Sequence, residues 1–246
     1  TGPVYVCLPQ DVLDAPAVEE VRPTSFPSTK VMPDEATLKT GATMLAAAQK
    51  PMIFVGDGVA FSGAQDELAR VAELLGAEVW EADAGELNMS HAHPLYQGAT
   101  GHMFGDRSLP ITSKGDVNLV CGTYLLPEVF PERGNIFAPG AKAIHIDLNA
   151  YEIAKNHPVD LGIVSDPQLT IAKLANILEA IMTTEQKESA KARTTEITQA
   201  KIAKHESELA RDRAVWDAVP LYLSRFMAEL ATQLPEDAII FDEALT

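Results

Sequence analysis

Runs of apolar residues that do not alternate with polar ones constrain this chain more than any other feature. "MIFVG" (52–56), "VNLVCG" (117–122), "KAIHIDL" (142–148) and "LGIVSD" (161–166) are apolar over most consecutive positions. A strand with one wet face alternates, whereas a strand apolar throughout is buried on both faces, as in a parallel sheet under covering layers. Helical patterns lie between these runs. One from about Asp34 to Gln49 places Leu38, Leu45 and Ala48 on one face behind an acidic first turn. A second, from about Gly63 to Leu75, carries the stripe Leu68, Val71 and Leu75; Ser62 and Gln65 are spaced as a capping box, and Gly76 offers a left-handed stop. "AEVWEA" (77–82) adds a strand, and a third helix is expected from about Pro167 to Met182. Strands and helices in this alternation, joined by right-handed crossovers, predict an α/β fold: a Rossmann-like, doubly wound parallel sheet over about residues 33–183.

The flanks read differently. "PVYVCLP" (3–9) has the pattern of a short buried strand, followed by a proline-punctuated linker; residues 83–113 read as loop-rich. Residues 184–213 hold seven basic and six acidic side chains with scattered Ile197, Ile202 and Leu209, a solvated helical linker without a heptad. "PLYLSRFMAELATQLPEDAIIFDEALT" (220–246) predicts a helix and a strand, the first step of another domain. Both ends are expected to be cut from something longer.

Charge narrows the partners. Nineteen basic against 35 acidic residues leave a net −16, the wrong sign for nucleic acid or an anionic membrane surface. No apolar stretch reaches the length of a membrane span, and no signal peptide is expected at the start of the chain. Cys7 and Cys121, each in an apolar run, are expected to be buried free thiols of a reduced, cytoplasmic protein.

Parallel sheets bind ligands beyond the carboxyl ends of their strands. There "GDGVAFSG" follows the first strand: Gly56 and Gly58 allow close backbone approach, and the helix beyond Ser62 presents free N–H groups to an anion. Asp147, at a strand end, is placed to take a ribose hydroxyl, and Asp166 ends the next strand. Asp57 and Asn88 imitate a GDG–Asn magnesium motif, but "LNM" replaces paired asparagines and Asn88 is expected to lie too far along to close on Asp57. His91, His93 and His102 lack a metal-ligand spacing, His145 reads as a core or edge histidine, and Lys30, Lys50 and Lys155 lie in no phosphate loop. No catalytic or metal-binding residue is assigned.

In order, "GPVYVCLPQDVLD", "KPMIFVGDGVAFSGAQDELARVAELLGAEV", "HPLYQG", "AKAIHIDLNAYEIAKNHPVDLGIVSDP" and "LPEDAIIFDEALT" resemble the thiamine diphosphate-dependent enzymes related to acetolactate synthase and benzoylformate decarboxylase. The resemblance spans nearly the whole chain. It implies that residues 1–28 are the end of a pyrimidine-binding domain plus linker, 29–183 the central Rossmann-like domain, and 184–246 a helical connector with the start of a diphosphate-binding domain. It also implies a complete enzyme that acts on a 2-oxo acid by decarboxylation or carboligation, with thiamine diphosphate and Mg, as a homodimer or homotetramer. The family's activating glutamate would lie upstream and its GDG–Asn motif downstream, leaving Leu245 and Thr246 as the thiamine diphosphate contacts. In some members the central domain holds FAD or ADP; here "TYLLPEVFP" stands where FAD-binding relatives carry arginines, which favours an empty or ADP-type site with Gly56, Gly58, Asp147 and Asp166 as its residues. The alternatives are a stand-alone nucleotide-binding regulatory or scaffolding module, and a structural spacer between catalytic domains.

Overall fold

A computed structural model describes residues 5–16, 20, 22–82, 84–101, 105–125 and 129–240. Six strands form one sheet: β1 (Pro51–Val55), β2 (Glu78–Glu81), β3 (Tyr96–Ala99), β4 (Val117–Cys121), β5 (Lys142–Asp147) and β6 (Leu161–Val164). All pairings are parallel and the order is β3-β2-β1-β4-β5-β6. That is the doubly wound order, in which the connection reverses direction between β1 and β4 and opens a crevice at their carboxyl ends.

The non-alternating runs at β1, β4 and β5 have the predicted cause, whereas the run at the edge strand β6 does not: only Ile163 is buried there and Val164 is exposed. In β1, Ile53 and Val55 enter one hydrophobic core while Met52 and Phe54 enter another on the opposite face. β4 divides likewise, Leu119 and Cys121 against Val120. Each fully buried Phe or Leu contributes about 1.5–3 kcal/mol, so both faces need cover. One face has it from four helices. These are α2 (Glu35–Ala46), α4 (Gln65–Leu75), α6 (Pro167–Ile181) and α7 (Thr184–Arg213), packed α2 on α6, α6 on α4 and α4 on α7. The other is covered by α5 (Gly105–Thr112) and an irregular segment contributing Leu125, Ile136 and Phe137. No helix membrane span exists among the described residues.

Several local expectations are corrected. The loop-rich stretch contains strand β3 and helix α5, too short and too polar to show a period. Tyr5 to Pro9 are exposed and not a strand, α1 (Gln10–Asp14) follows, and Cys7 is exposed, whereas Cys121 is buried. Ser62 and Gln65 make no capping box. A separate short helix α3 (Gly58–Ser62) ends at Gly63 (φ +76°), Ser62 Oγ donates to Val59 O, and Gln65 Nε2 donates to Leu87 O. The capping box that forms is at Thr183 and Gln186, starting α7. α8 (Leu223–Gln233) is the expected terminal helix, but residues 238–240 after it are not a strand. Leu245, Thr246 and His102 lie outside the described residues.

Candidate functional site

A cleft of about 690 Å³ opens at the carboxyl ends of β1, β5 and β6, lined among others by Lys30, Gly58, Phe61, Asp147 and Asp166. Three of the four nucleotide-site candidates are thus brought together. Gly56 does not line the cleft: its N–H donates to Cys121 O, and a Cβ there would meet Thr123 Cβ at 2.6 Å. Gly58 has a second duty. Its N–H donates to Gly122 O at 2.9 Å, and an added Cβ would lie 2.6 Å from Gly122 Cα. The glycines therefore let the loops after β1 and β4 touch each other across the crevice, and Gly58 alone of the pair also faces the space beyond.

Asp147 ends β5 with its Oδ1 accepting from Asn149 N at 2.7 Å. Burial raises its carboxyl above the ordinary range, opposed by the Asn149 N–H. Two residues earlier on the same face, His145 is buried. Its Nε2 donates to Thr123 O at 2.8 Å, and desolvation lowers its pKa, so the neutral ring is favoured as a core residue. Asp166 caps α6 by accepting from Leu169 N at 3.0 Å, and its other oxygen lies 3.0 Å from Lys30 Nζ. Its backbone N–H donates to Val31 O at 2.8 Å, so the linker is strapped along the cleft rim.

Lys30 and Phe61 were absent from the sequence-based site. Lys30 belongs to no phosphate-loop spacing, and only the strap brings it to Asp166, Gln168 Oε1 at 3.2 Å and the cleft. Phe61 is 70% exposed at the mouth. The sequence shows only a phenylalanine one turn after GDG; that its ring faces solvent rather than packing inward is decided by the tertiary structure. An aromatic platform, an acid at a strand end and an ammonium group can stack a base, hold a ribose hydroxyl and approach a phosphate.

The GDG turn is spent on local structure. Asp57 Oδ1 accepts from Gly85 N and Glu86 N, both at 2.9 Å. Asn88 does fold back to the turn, contrary to the distance expected from sequence, and is fully buried. Its Oδ1 accepts from Ala60 N at 3.1 Å and its amide donates to Glu86 O at 3.1 Å. With these atoms engaged, the pair does not fit a magnesium site, which needs free oxygens in near-octahedral array. His91 stacks on Tyr96, His93 Nε2 is 3.3 Å from Glu73, and no described group of three His, Cys, Asp or Glu side chains could hold a metal.

Comparison with known proteins adds four findings. The family described as "Thiamine pyrophosphate enzyme, central domain" matches residues 38–174. The "Probable acetolactate synthase large subunit" of Methanococcus aeolicus is 33% identical over 199 residues, 76% of this chain and 32% of that protein. A sulfoacetaldehyde acetyltransferase of Roseovarius nubinhibens is 31% identical over 221 residues, 84% of this chain and 36% of that protein. Among solved structures, benzoylformate decarboxylase from Polynucleobacter necessarius superposes with TM-score 0.58 at 24% identity, over 66% of this chain and 30% of that one, a likeness of fold. The chain spans about a third of the length of the curated relatives it matches.

Proposed function

Given that the chain belongs to the thiamine pyrophosphate enzyme central-domain family, we propose that it is the middle part of an enzyme that decarboxylates a 2-oxo acid or joins it to a second carbonyl compound. The observation that carries this is coverage: acetolactate synthases align with this chain over only about a third of their own length. Exposed apolar faces agree. On α8, Leu223, Phe226 and Met227 are exposed at helical spacing, and Tyr5, Val12 and Leu13 are exposed near the other end. Such surface is what a neighbouring domain covers.

When bound, thiamine diphosphate supplies an electron sink for the carbanion left by loss of carbon dioxide. We assign no catalytic side chain here; the chain's part is to hold its neighbours at a set distance. Leu245 and Thr246 remain the proposed diphosphate contacts, and magnesium ligands are placed outside this chain. A cytoplasmic location fits the free Cys121 and Cys7, and a homodimer or homotetramer of the complete protein is proposed from the family resemblance alone.

A second reading is favoured by the cleft. Phe61, Asp147 and Lys30, with Gly58 behind them, suit an ADP-type ligand, and a single lysine already paired with Asp166 suits it better than a larger dinucleotide. Calorimetry on this chain with ADP, FAD and thiamine diphosphate tests both readings. Expected are no thiamine diphosphate binding and ADP binding that Phe61→Ala and Asp147→Asn each weaken about tenfold, or 1.4 kcal/mol. Magnesium-dependent binding of thiamine diphosphate, or turnover of pyruvate by these residues alone, would overturn the first reading; silence with ADP would overturn the second.

A further inference from the structure

α7 is mounted on the domain by one stripe. Ala190 is buried against Gly76, where an added Cβ would run into Ala190 O. Arg193 donates to Leu75 O at the end of α4, Ile197 packs on the core, and Lys201 Nζ donates to His91 O at 2.8 Å and His93 O at 2.7 Å. The stripe continues through Lys204, His205 and Glu208, where a crevice of about 190 Å³ separates the helix from the edge strand β3. His91, Tyr96, Gln97 and Gly98 form its other wall.

We infer that this crevice is a binding site for a small oxyanion, a phosphate or a carboxylate. An ammonium group has three donors, and Lys201 spends two on neutral carbonyls, so one N–H is left beside the Tyr96 ring, 5.5 Å from its centroid. No carboxylate lies within ion-pair distance of it among the described residues. Burial correspondingly lowers its pKa, with no acid to offset the desolvation. One turn on, Lys204 is 69% exposed and lies 3.9 Å from Glu208, a loose pair. His205 completes that side, and His91, stacked on Tyr96 at 4.4 Å with a 9° interplanar angle, stands opposite.

The acids nearby are accounted for. Glu81 lies behind the ring: it accepts from Tyr96 OH at 2.7 Å and from Asn88 Nδ2 at 3.4 Å, and His91 Nε2 is 3.7 Å away. Glu208 is the one acid lining the crevice, 3.9 Å from Lys204 and itself partly exposed. Two lysines against one glutamate around one small space run against the trend of a chain with net charge −16. The space suits a small oxyanion rather than a nucleotide, and it is lined by none of the residues of the cleft at the strand ends.

The test is a titration of the whole chain with inorganic phosphate and, separately, with acetate, at constant ionic strength, following the imidazole resonances of His91 and His205. Expected is a saturable shift at both rings with at least one probe. Phosphate alone would identify the site with phosphorylated ligands, acetate alone with carboxylates. Lys204→Ala/His205→Ala, at exposed positions that leave the fold intact, should weaken binding about tenfold or more, read from His91. Lys30→Ala, in the separate cleft, should leave it unchanged. No saturable shift with either probe, binding indifferent to the double substitution, or binding abolished by Lys30→Ala would each overturn the inference.

Discussion

A glycine can be selected for what approaches it from inside the protein as much as for what approaches from solvent. Gly58 sits where the loops after β1 and β4 meet backbone to backbone, so Gly58→Ala forces main chain apart and should cost about 1–3 kcal/mol in urea unfolding. Gly41→Ala provides the contrast. It lies inside α2, its added Cβ would reach Leu161 Cδ2 at 3.4 Å, and the helical preference for alanine, up to about 1 kcal/mol, should leave it neutral or stabilising. Equal destabilisation by both would remove the special role of the loop contact. Asp147 predicts a pH dependence. Its folded pKa is raised by burial, so the contribution is favourable below the unfolded value, near 3.8, and is lost as pH rises through the folded value. Asp147→Asn can still accept from Asn149 N, so it should be more stable than the parent at neutral pH. That advantage should shrink as pH falls towards the unfolded pKa; an advantage that grows on acidification would contradict the assignment.

Among the elements, α6 depends on one residue with two distinct tasks. Asp166 caps the helix at Leu169 N and holds Lys30 of the linker. Asp166→Ala should lose about 0.5–2 kcal/mol with the cap. Asp166→Asn retains an accepting oxygen and gives up only a pair whose lysine is 48% exposed, so it should cost clearly less. Identical losses in the two variants, measured by urea unfolding, would show that the ion pair rather than the cap supports this corner. α7 makes a related point. Its composition was readable as a solvated helix, and Ala190 is its one buried residue. The contacts that mount it, Ala190 on Gly76 and Lys201 on two loop carbonyls, join residues more than a hundred positions apart and leave no local trace.

Across the whole molecule, stability should be uneven. β1, β4 and β5 are buried on both faces, whereas α8 has no buried residue and finds its main helix neighbour in α7. Native-state hydrogen exchange should therefore show near-global protection in the three central strands and protection factors lower by about two orders of magnitude or more in α8. Comparable protection in α8 would mean that its apolar face is already covered, against the reading that it awaits a further domain.

Strand and helix existence was legible because burial on both faces writes itself into consecutive residues, as in Pro51–Val55 and Val117–Cys121. The short β3 and α5 were not, since a few polar-flanked residues carry no period. The same limit applies to the site. Asp147 and Asp166 announced themselves by ending strands, and Gly58 by its turn, because connectivity alone puts strand ends on one edge. What only the tertiary structure decided was how those atoms are used: Gly56 and Gly58 meeting Thr123 and Gly122, Asn88 turned back onto Ala60, and Lys30 brought from a linker into the cleft. Periodicity records which way a side chain faces along its own element, whereas these contacts depend on packing between elements far apart in the chain.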